Sequence, residues 1–360
     1  MTAPPYPRAT IRLQFGRTFT FRDAERLVPY FAALGVSHLY ASPFLLARSG
    51  SSHGYDIVDH NRFNPEVGTE EDYAALVDAL ERHSMGIILD FVPNHMGVMA
   101  ADNGWWLDVL EWGERSPYAA FFDIDWHPAE PTLKGKVLLP VLGDHYGAVL
   151  ERGELPLRFD AAEGSFSAWF YEHRFPIAVR HYADILRTAA RREPRARATL
   201  EAMAKSFQAI GRGGRSTREQ AVKQRDAADL KHGLAQAARD DRMVRAALEG
   251  ALEDYNGIPG EPASFDALHK LLDRQSYRMA FWRVAAHEIN YRRFFDINDL
   301  AGLRMEVPAL FDVAHQLVFR LIGEGKLHGI RLDHVDGLLD PAAYFARLQD
   351  RAAYALPAAA

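Results

Sequence analysis

The fold is decided by a short apolar strand that runs into charged residues, Leu327-His328-Gly329-Ile330-Arg331-Leu332-Asp333-His334-Val335-Asp336-Gly337. Arg331 and Asp333 lie two positions apart, so an extended chain directs both side chains to the same face. A guanidinium beside a carboxylate keeps that carboxylate ionised and leaves one of its oxygens free to attack an electrophile. The pair suits a covalent nucleophile for a sugar, but on its own it is more typical of a structural ion pair at a strand end, and the rest of the chain has to decide between the two.

The composition is ordinary for a globular protein, with 360 residues of which 48% are hydrophobic and 25% charged. The formal net charge of −6 gives no support for nucleic-acid binding. The chain contains no cysteine, which excludes disulfides and thiolate metal sites within it. A polar N-terminal segment and the lack of a long apolar window predict a cytoplasmic protein without a membrane span.

Apolar strands alternate with amphipathic helices over the first hundred residues. The pattern predicts strands at Thr10–Phe15, Val36–Tyr40 and Gly86–Val92, and helices at Asp23–Leu34 and Glu70–His83. In the first helix the spacing predicts one apolar face, made of Leu27, Tyr30, Phe31 and Leu34. Thr69 is the predicted N-cap of the second helix. This order predicts a parallel sheet with crossover helices covering both of its faces.

A long excursion separates the third strand from the strand that ends in Asp333. We expect residues 1–97 to form the first part of one domain, 98–305 to be inserted subdomains, and 306–360 to return to the first domain. The expected parts of the insertion are an aromatic-rich part at 98–177, a charged helical part at 178–265 and a returning part at 266–305. The apolar spacing predicts a returning helix over Leu268–Tyr291, then a helix over Val307–Gly323 and a last helix from about Ala342 to Leu356.

The charged helical part is rich in arginine, but acidic residues lie among the arginines throughout. This pattern is typical of solvated helix faces and does not favour a nucleic-acid surface. The run Gly211-Arg212-Gly213-Gly214 predicts a helix break or a mobile turn. It is not a phosphate loop, because no strand precedes it and no Gly-Lys-Ser/Thr follows.

Three separated segments resemble the α-amylase superfamily, also called glycoside hydrolase family thirteen. They are His53-Gly54-Tyr55-Asp56, Asp90-x-x-x-Asn94-His95 and Gly329-x-Arg331-x-Asp333. The last two each end a predicted strand. The resemblance implies an α/β fold of the (β/α)8 TIM-barrel type, in which the chemistry lies at the carboxyl ends of the strands. About four βα units fit this chain, so we expect only the N-terminal half of the barrel, with a long and mostly helical insertion after the third strand.

Three longer segments resemble one branch of that superfamily, the maltooligosyl trehalose synthases. They are Gln275-x-Tyr277-Arg278-Met279-Ala280-x-Trp282-Arg283, Ile289-Asn290-Tyr291-Arg292-Arg293-Phe294-Phe295-Asp296-Ile297, and the stretch from Gly329 to Pro341. The resemblance runs from Thr10 to about Leu348. It implies an intramolecular transglucosylase that converts the reducing-end α-1,4 linkage of a maltooligosaccharide to an α,α-1,1 linkage.

The resemblance also implies roles for particular residues. Asp333 is the expected nucleophile, and Arg331 holds it ionised and oriented. His95 donates a hydrogen bond to a hydroxyl of the attacked sugar, and Asp90 braces that loop. Tyr55 stacks under the same sugar, since a flat ring suits the apolar C–H face of glucose. Each has a structural alternative: His95 could satisfy backbone carbonyls, and Tyr55 could be a core aromatic.

The remaining candidates for substrate binding are His53, Asp56, His334 and Asp336, and Asp56 is more easily explained as a support for its loop. Many amylases carry a Lys-His pair where this chain has Asp336-Gly337, which implies a remodelled leaving-group side. Ser52 stands where exo-acting glucosidases commonly place an acid, which argues against a pocket closed at the non-reducing end.

We expect neither a metal nor a cofactor. His53, His95, His328 and His334 lack the i, i+4 pairing of a helical zinc site. Asn94 could bind calcium through oxygen, as in some amylases, but the resemblance does not require it.

The retaining mechanism needs a second carboxylate about 5 Å from the nucleophile, and no glutamate follows Asp333 at a predicted strand end. Glu306 and Glu324 lie upstream, so neither is assigned that role. We therefore expect the C-terminal half of the same enzyme to complete the site and this chain alone to be inactive. Two alternatives stay open: an α-glucan hydrolase or intermolecular glucosyltransferase, and a non-catalytic α-glucan-binding fragment.

Overall fold

A computed structural model describes residues 6–210 and 217–355. The glycine-rich break predicted at 211–214 lies outside the described residues. The chain divides into two compact units. The first comprises the residues up to Val98, Phe121–Asp123 and the residues from Arg292 onward, and the second comprises Met99–Ala120 and Ile124–Tyr291.

The first unit is built on a four-stranded parallel sheet. Its strands, in both chain order and sheet order, are β1 (Thr10–Leu13), β2 (His38–Ala41), β3 (Gly86–Phe91) and β4 (Gly329–Leu332). All three pairings are parallel. The predicted parallel sheet is confirmed, and the carboxyl ends of its strands meet at one edge, as they must when neighbouring strands run in the same direction.

Five helices accompany this sheet in the described part of the first unit. They are α1 (Phe21–Ala33), α2 (Glu70–Arg82), α3 (Pro308–Ala314), α4 (Gln316–Gly323) and α5 (Pro341–Ala355). Thr69 caps α2 as predicted, and its hydroxyl and the Asp72 carboxylate form a reciprocal capping box. The single helix predicted over Val307–Gly323 is two helices that meet at the buried His315.

The predicted apolar face of α1 is wrong except for Phe31. The structure buries Phe21, Ala24, Val28 and Phe31, and it leaves Leu27, Tyr30 and Leu34 exposed. The buried residues follow a spacing of three, four and three, which is a complete helical stripe. The helix begins at Phe21, earlier than predicted, and this aromatic anchors the buried stripe against Phe44 and Tyr73.

Two short antiparallel pairs shape the loops that follow the sheet strands. Leu45–Ala47 pairs with Ile57–Phe63, and His95–Gly97 pairs with Leu300–Gly302. The second pairing explains why residues 292–305, which the sequence pattern assigns to the insertion, belong to the first unit.

The second unit combines helices with two small sheets. Its α-helices are Gly104–Trp112, Tyr146–Glu151, Tyr182–Arg192, Arg197–Ile210, Thr217–Asp240, Arg242–Asn256, Asp266–Asp273 and Ala285–Glu288. The strands Leu157–Asp160, Ser165–Phe170 and His173–Pro176 form an antiparallel sheet. The strands Val137–Leu142 and Tyr277–Phe281 form a parallel pair.

The helix predicted over Leu268–Tyr291 is wrong. It ends at Asp273, and the chain then forms the strand Tyr277–Phe281. Within this strand Tyr277 and Met279 are buried while Arg278 between them is exposed, which is the alternation of a strand. Pairing with Val137–Leu142 therefore overrides a helical propensity. No helix among the described residues has the length and apolar character needed to cross a bilayer.

Candidate active site

The site forms where the neighbouring strands β3 and β4 end. The register sets Arg331 directly opposite Asp90. Nη1 of Arg331 lies 2.7 Å from Oδ1 of Asp90 and 2.8 Å from Oδ1 of Asp333. One guanidinium nitrogen thus bridges two carboxylates. Partial burial acts to lower the pKa of Arg331, but the hydrogen bonds to Asp90 and Asp333 outweigh it and raise that pKa.

Asp90 is the most deeply buried carboxylate of this site, with 1% of its surface exposed. Its Oδ2 accepts hydrogen bonds from the hydroxyls of Tyr55, at 2.5 Å, and Tyr40, at 2.7 Å. Both carboxylate oxygens are therefore satisfied, as a buried charge requires. Burial and the hydrogen bond to Asp90 raise the pKa of Tyr55 to about 12, so this phenol stays neutral and can only donate to Asp90.

Tyr40 and Arg12 belong to this network but were not predicted from the sequence. Arg12 lies on β1 opposite Tyr40 on β2, and its Nη2 lies 3.1 Å from the hydroxyl of Tyr55. The Arg12 guanidinium also lies 5.5 Å from the centre of the Tyr40 ring, a cation–π distance. The sequence does contain a signal for both residues, because each is a polar residue near the carboxyl end of an apolar strand.

The loop that presents Tyr55 is held by its own polar residues. The Asp56 carboxylate accepts a hydrogen bond of 2.5 Å from the Ser51 hydroxyl, which in turn accepts one from the Gly54 amide. Nδ1 of His53 accepts a hydrogen bond from the Tyr55 amide. Gly54 has φ of +80°, and a Cβ there would lie 2.7 Å from a backbone oxygen of Pro43, so only glycine fits. His53 and Asp56 therefore shape the loop.

His95 is buried, and its ring packs against Phe294 at a tilt of 37°, with centroids 4.3 Å apart. Burial, with a smaller effect of the nearby His334, lowers its pKa to about 3, so the imidazole is neutral. Arg292 donates to Oδ1 of Asn94, which turns the Asn94 amide nitrogen toward Nδ1 of His95 at 3.3 Å. Nδ1 is then the acceptor, and the ring proton is on Nε2.

Nε2 of His95 has no hydrogen-bond partner of acceptable geometry among the described residues, although the backbone of Tyr55 is near enough to raise the pKa slightly. A buried N–H without a good acceptor is costly. An N–H of this kind is suited to donate a hydrogen bond to the hydroxyl oxygen of a ligand.

The residues after Asp333 form a tight turn beside Phe294. His334 has φ of 49°, a left-handed conformation, and its ring lies 4.8 Å from that of Phe294. Asp336 is exposed and lies 3.4 Å from Nδ1 of His334. A Cβ on Gly337 would lie 2.6 Å from Oδ1 of Asn94. The turn therefore packs directly against Asn94, which leaves no room for a side chain at position 337.

The structure thus brings Asp333, Arg331, Asp90 and Tyr55 into one network, and places the rings of both His95 and His334 against Phe294. No group of three or more His, Cys, Asp or Glu side chains arranged to hold a metal ion occurs among the residues 6–210 and 217–355.

Comparison with known proteins identifies the relatives of this chain. Residues 24–149 match the family described as the α-amylase catalytic domain. A putative maltooligosyl trehalose synthase of Mycobacterium tuberculosis is 34% identical over 352 residues, which cover 95% of this chain and 33% of that protein.

Comparison with solved structures points to the same group of proteins as the sequence comparison does. The maltooligosyltrehalose synthase of Arthrobacter ramosus has a TM-score of 0.64 at 36% identity, covering 96% of this chain and 34% of that one. A hypothetical maltooligosyl trehalose synthase of Sulfolobus tokodaii has a TM-score of 0.63 at 27% identity, again covering 96% and 34%. The predicted resemblance is confirmed, and the chain spans about a third of the length of these relatives. The four parallel strands are consistent with a partial TIM barrel.

The depressed pKa of His95 predicts how the stability of the first unit depends on pH. Its ordinary value is 6.5 and its folded value about 3, so the unfolded chain binds the proton first as the pH falls. The stabilisation is complete above pH 6.5 and is lost progressively below it. Between pH 7 and pH 5 the unfolding free energy should fall about 2 kcal/mol more in the parent than in His95→Gln. Urea denaturation at both pH values measures this difference, and equal losses would show that His95 accepts a proton in the folded state.

Proposed function

We propose that this chain supplies the nucleophile and its sugar subsite to an enzyme that isomerises maltooligosaccharides at their reducing end. The observation that carries the proposal is the bridge from Arg331 to both Asp333 and Asp90. The similarity to maltooligosyl trehalose synthases, whose names describe the product, supports it as well. The reaction would convert the terminal α-1,4 linkage to an α,α-1,1 linkage.

Asp333 would act through the oxygen that Arg331 does not contact. Among the described residues, Arg331 is the donor to Oδ1, and Oδ2 has no donor. Oδ2 would attack the anomeric carbon of the penultimate glucose, forming an ester bond as the bond to the reducing-end glucose breaks. The anomeric hydroxyl of the freed glucose would then attack the same carbon and release Asp333. Two displacements retain the α configuration.

The leaving oxygen must receive a proton in the first displacement and a base must take one in the second. Asp90 cannot serve, because donors occupy both of its oxygens. We propose that the acid comes from residues of the enzyme other than those described. The synthase relative is about three times as long as this chain, and its additional residues are where such an acid would lie.

Tyr55 and His95 would hold the glucose that Asp333 attacks. The Tyr55 hydroxyl is fixed by Asp90 and Arg12, so its ring has a set orientation against which a sugar face can stack. Nε2–H of His95 would donate to a sugar hydroxyl. Because His95 is neutral, this donation would not change with pH near neutrality.

Phe294 and Phe295 would form the wall on the leaving-group side. Phe295 is 70% exposed, has φ of 51° and lies 5.3 Å from the ring of His334. A left-handed conformation is costly for a bulky residue, and here it holds an aromatic ring in solvent beside the residue that follows Asp333. Such a wall would keep water away while the freed glucose reorients, which isomerisation requires and hydrolysis does not.

The reaction is tested by following reducing ends. The complete gene product should consume the reducing ends of maltopentaose without releasing glucose, because the product is a non-reducing sugar. Asp333→Asn should reduce this to background, and Asp350→Asn, an exposed change on α5, should leave it intact. Shorter maltodextrins and glucose would indicate hydrolysis instead, and products that depend on an added acceptor would indicate an intermolecular transferase.

Tyr40 should act as a positioning residue for the site. Tyr40→Phe removes one of the two hydroxyls on Oδ2 of Asp90 and should lower kcat/KM by about tenfold, since a hydrogen bond to a buried charge is lost. Tyr30→Phe makes the same chemical change on the exposed face of α1 and should have no effect. Steady-state kinetics on maltopentaose compare the two. Equal activities would place Tyr40 outside the network that orients Arg331.

Residues 1–360 alone should not turn over maltopentaose, because general-acid assistance worth about 10²–10⁴-fold would be missing. They should still react slowly with α-glucosyl fluoride, whose leaving group needs no proton, and Asp333→Asn should abolish that reaction. Turnover of maltopentaose by the 360-residue chain that disappears in the variant would show that the acid lies within it.

A further inference from the structure

The parallel strand pair of the second unit ends in a group of exposed aromatic and charged residues. Val137–Leu142 and Tyr277–Phe281 run in the same direction, so their carboxyl ends meet at one edge. Asp144 and His145 follow the first strand, and Trp282 and Arg283 follow the second. The carboxyl ends of parallel strands are where loops commonly build binding sites.

Trp282 is the centre of this group, with 53% of its surface exposed. Its ring lies 5.9 Å from that of Phe281 at an interplanar angle of 71°, so the two rings are not stacked on each other. The Arg283 guanidinium lies 5.4 Å from the Trp282 ring and 5.6 Å from the Phe281 ring. His145 packs on Phe281 at 5.5 Å. We call these four residues the Trp282 platform.

Polar groups surround the platform. The Asp144 carboxylate accepts a hydrogen bond from the His145 amide and forms a 3.0 Å ion pair with Arg152. Tyr146, next in the chain, lines a cavity of about 90 Å³ and shares a 3.2 Å hydrogen bond with His269. The platform thus presents an exposed indole ring, with hydrogen-bond donors and acceptors on neighbouring residues. A protein partner would favour a broader apolar patch.

We propose that the Trp282 platform is a second glucan-binding site, which takes the α-1,4-linked glucose units of a maltodextrin. The C–H face of a glucose ring would stack on the indole, as apolar faces do on aromatic rings. Arg283, held by its two ring contacts, would donate to the sugar hydroxyls, and the Asp144 carboxylate would accept from them. The platform lies in the second unit, whereas Asp333, Tyr55 and His95 lie in the first. The inference rests on the proposed function for its substrate class.

β-Cyclodextrin is the probe that separates the two sites. It is a ring of α-1,4-linked glucose without a reducing end, so it is not a substrate for reducing-end isomerisation. Titration of the complete gene product with β-cyclodextrin, followed by calorimetry, should show binding that Trp282→Ala weakens about tenfold or more. Trp282→Phe, which keeps a smaller ring, should bind with intermediate affinity.

Two controls decide where the probe binds. Tyr171→Ala removes another exposed aromatic of the second unit and should leave the affinity unchanged. Tyr55→Ala, which removes the proposed stacking ring of the catalytic subsite, should also leave it unchanged. Thermal melting of each variant excludes unfolding as the cause of any loss.

Equal affinities of Trp282→Ala and the parent protein, or the absence of any binding by the parent, would overturn the proposal. A loss in Tyr55→Ala equal to that in Trp282→Ala would also overturn it, because the probe would then report on the catalytic subsite. The outcome of the reducing-end assay does not depend on whether β-cyclodextrin binds. If maltopentaose keeps its reducing ends while β-cyclodextrin still binds through Trp282, the proposed reaction is wrong and the platform stands.

Discussion

The buried carboxylate of Asp90 is the constraint on which the first unit depends. A buried charge without partners costs several kcal/mol, so Asp90 must have donors on both oxygens. It obtains them from three different segments, through Arg331 of β4, Tyr40 of β2 and Tyr55 of the loop before β3. If any one of these contacts is broken, the buried carboxylate of Asp90 has fewer donors than it needs, which is destabilising. The same contacts therefore fix the strand ends, the loop and the orientation of Arg331 toward Asp333.

A second set of contacts, centred on Phe294, fixes His95 and the turn after Asp333. The ring of Phe294 contacts those of both His95 and His334, with centroids 4.3 and 4.8 Å away. Burial keeps the imidazole of His95 neutral, so its contact with the phenyl ring is an apolar one. Arg292 supports this arrangement from behind, through Asn94 and the carbonyl oxygen of Leu303. Gly302 makes room for it, because a Cβ there would lie 2.6 Å from the guanidinium carbon.

The residues that the sequence predicted well are those in local patterns with a chemical meaning. Arg331 and Asp333 share a face because a strand alternates, and Thr69 caps α2 because a threonine followed by an aspartate forms a capping box. Tyr40 and Arg12 were missed because each lies in a short strand whose pairing partner is distant in sequence. The helix expected over Leu268–Tyr291 failed for a related reason. Its pairing with Val137–Leu142, more than a hundred residues earlier, is a tertiary constraint that local periodicity does not contain.

In the proposed reaction, the distribution of charge around Asp333 explains why the nucleophile and the acid would come from different parts of the enzyme. A nucleophile of this kind needs a carboxylate beside a cation, and Asp333 beside Arg331 provides that pair. An acid needs the reverse, a carboxyl group whose charge is disfavoured by its surroundings. A carboxyl group placed within the Arg331 network would not stay protonated, because the same guanidinium would favour its ionised form. In the proposed reaction the acid would therefore approach the sugar from a segment outside this network, for this electrostatic reason.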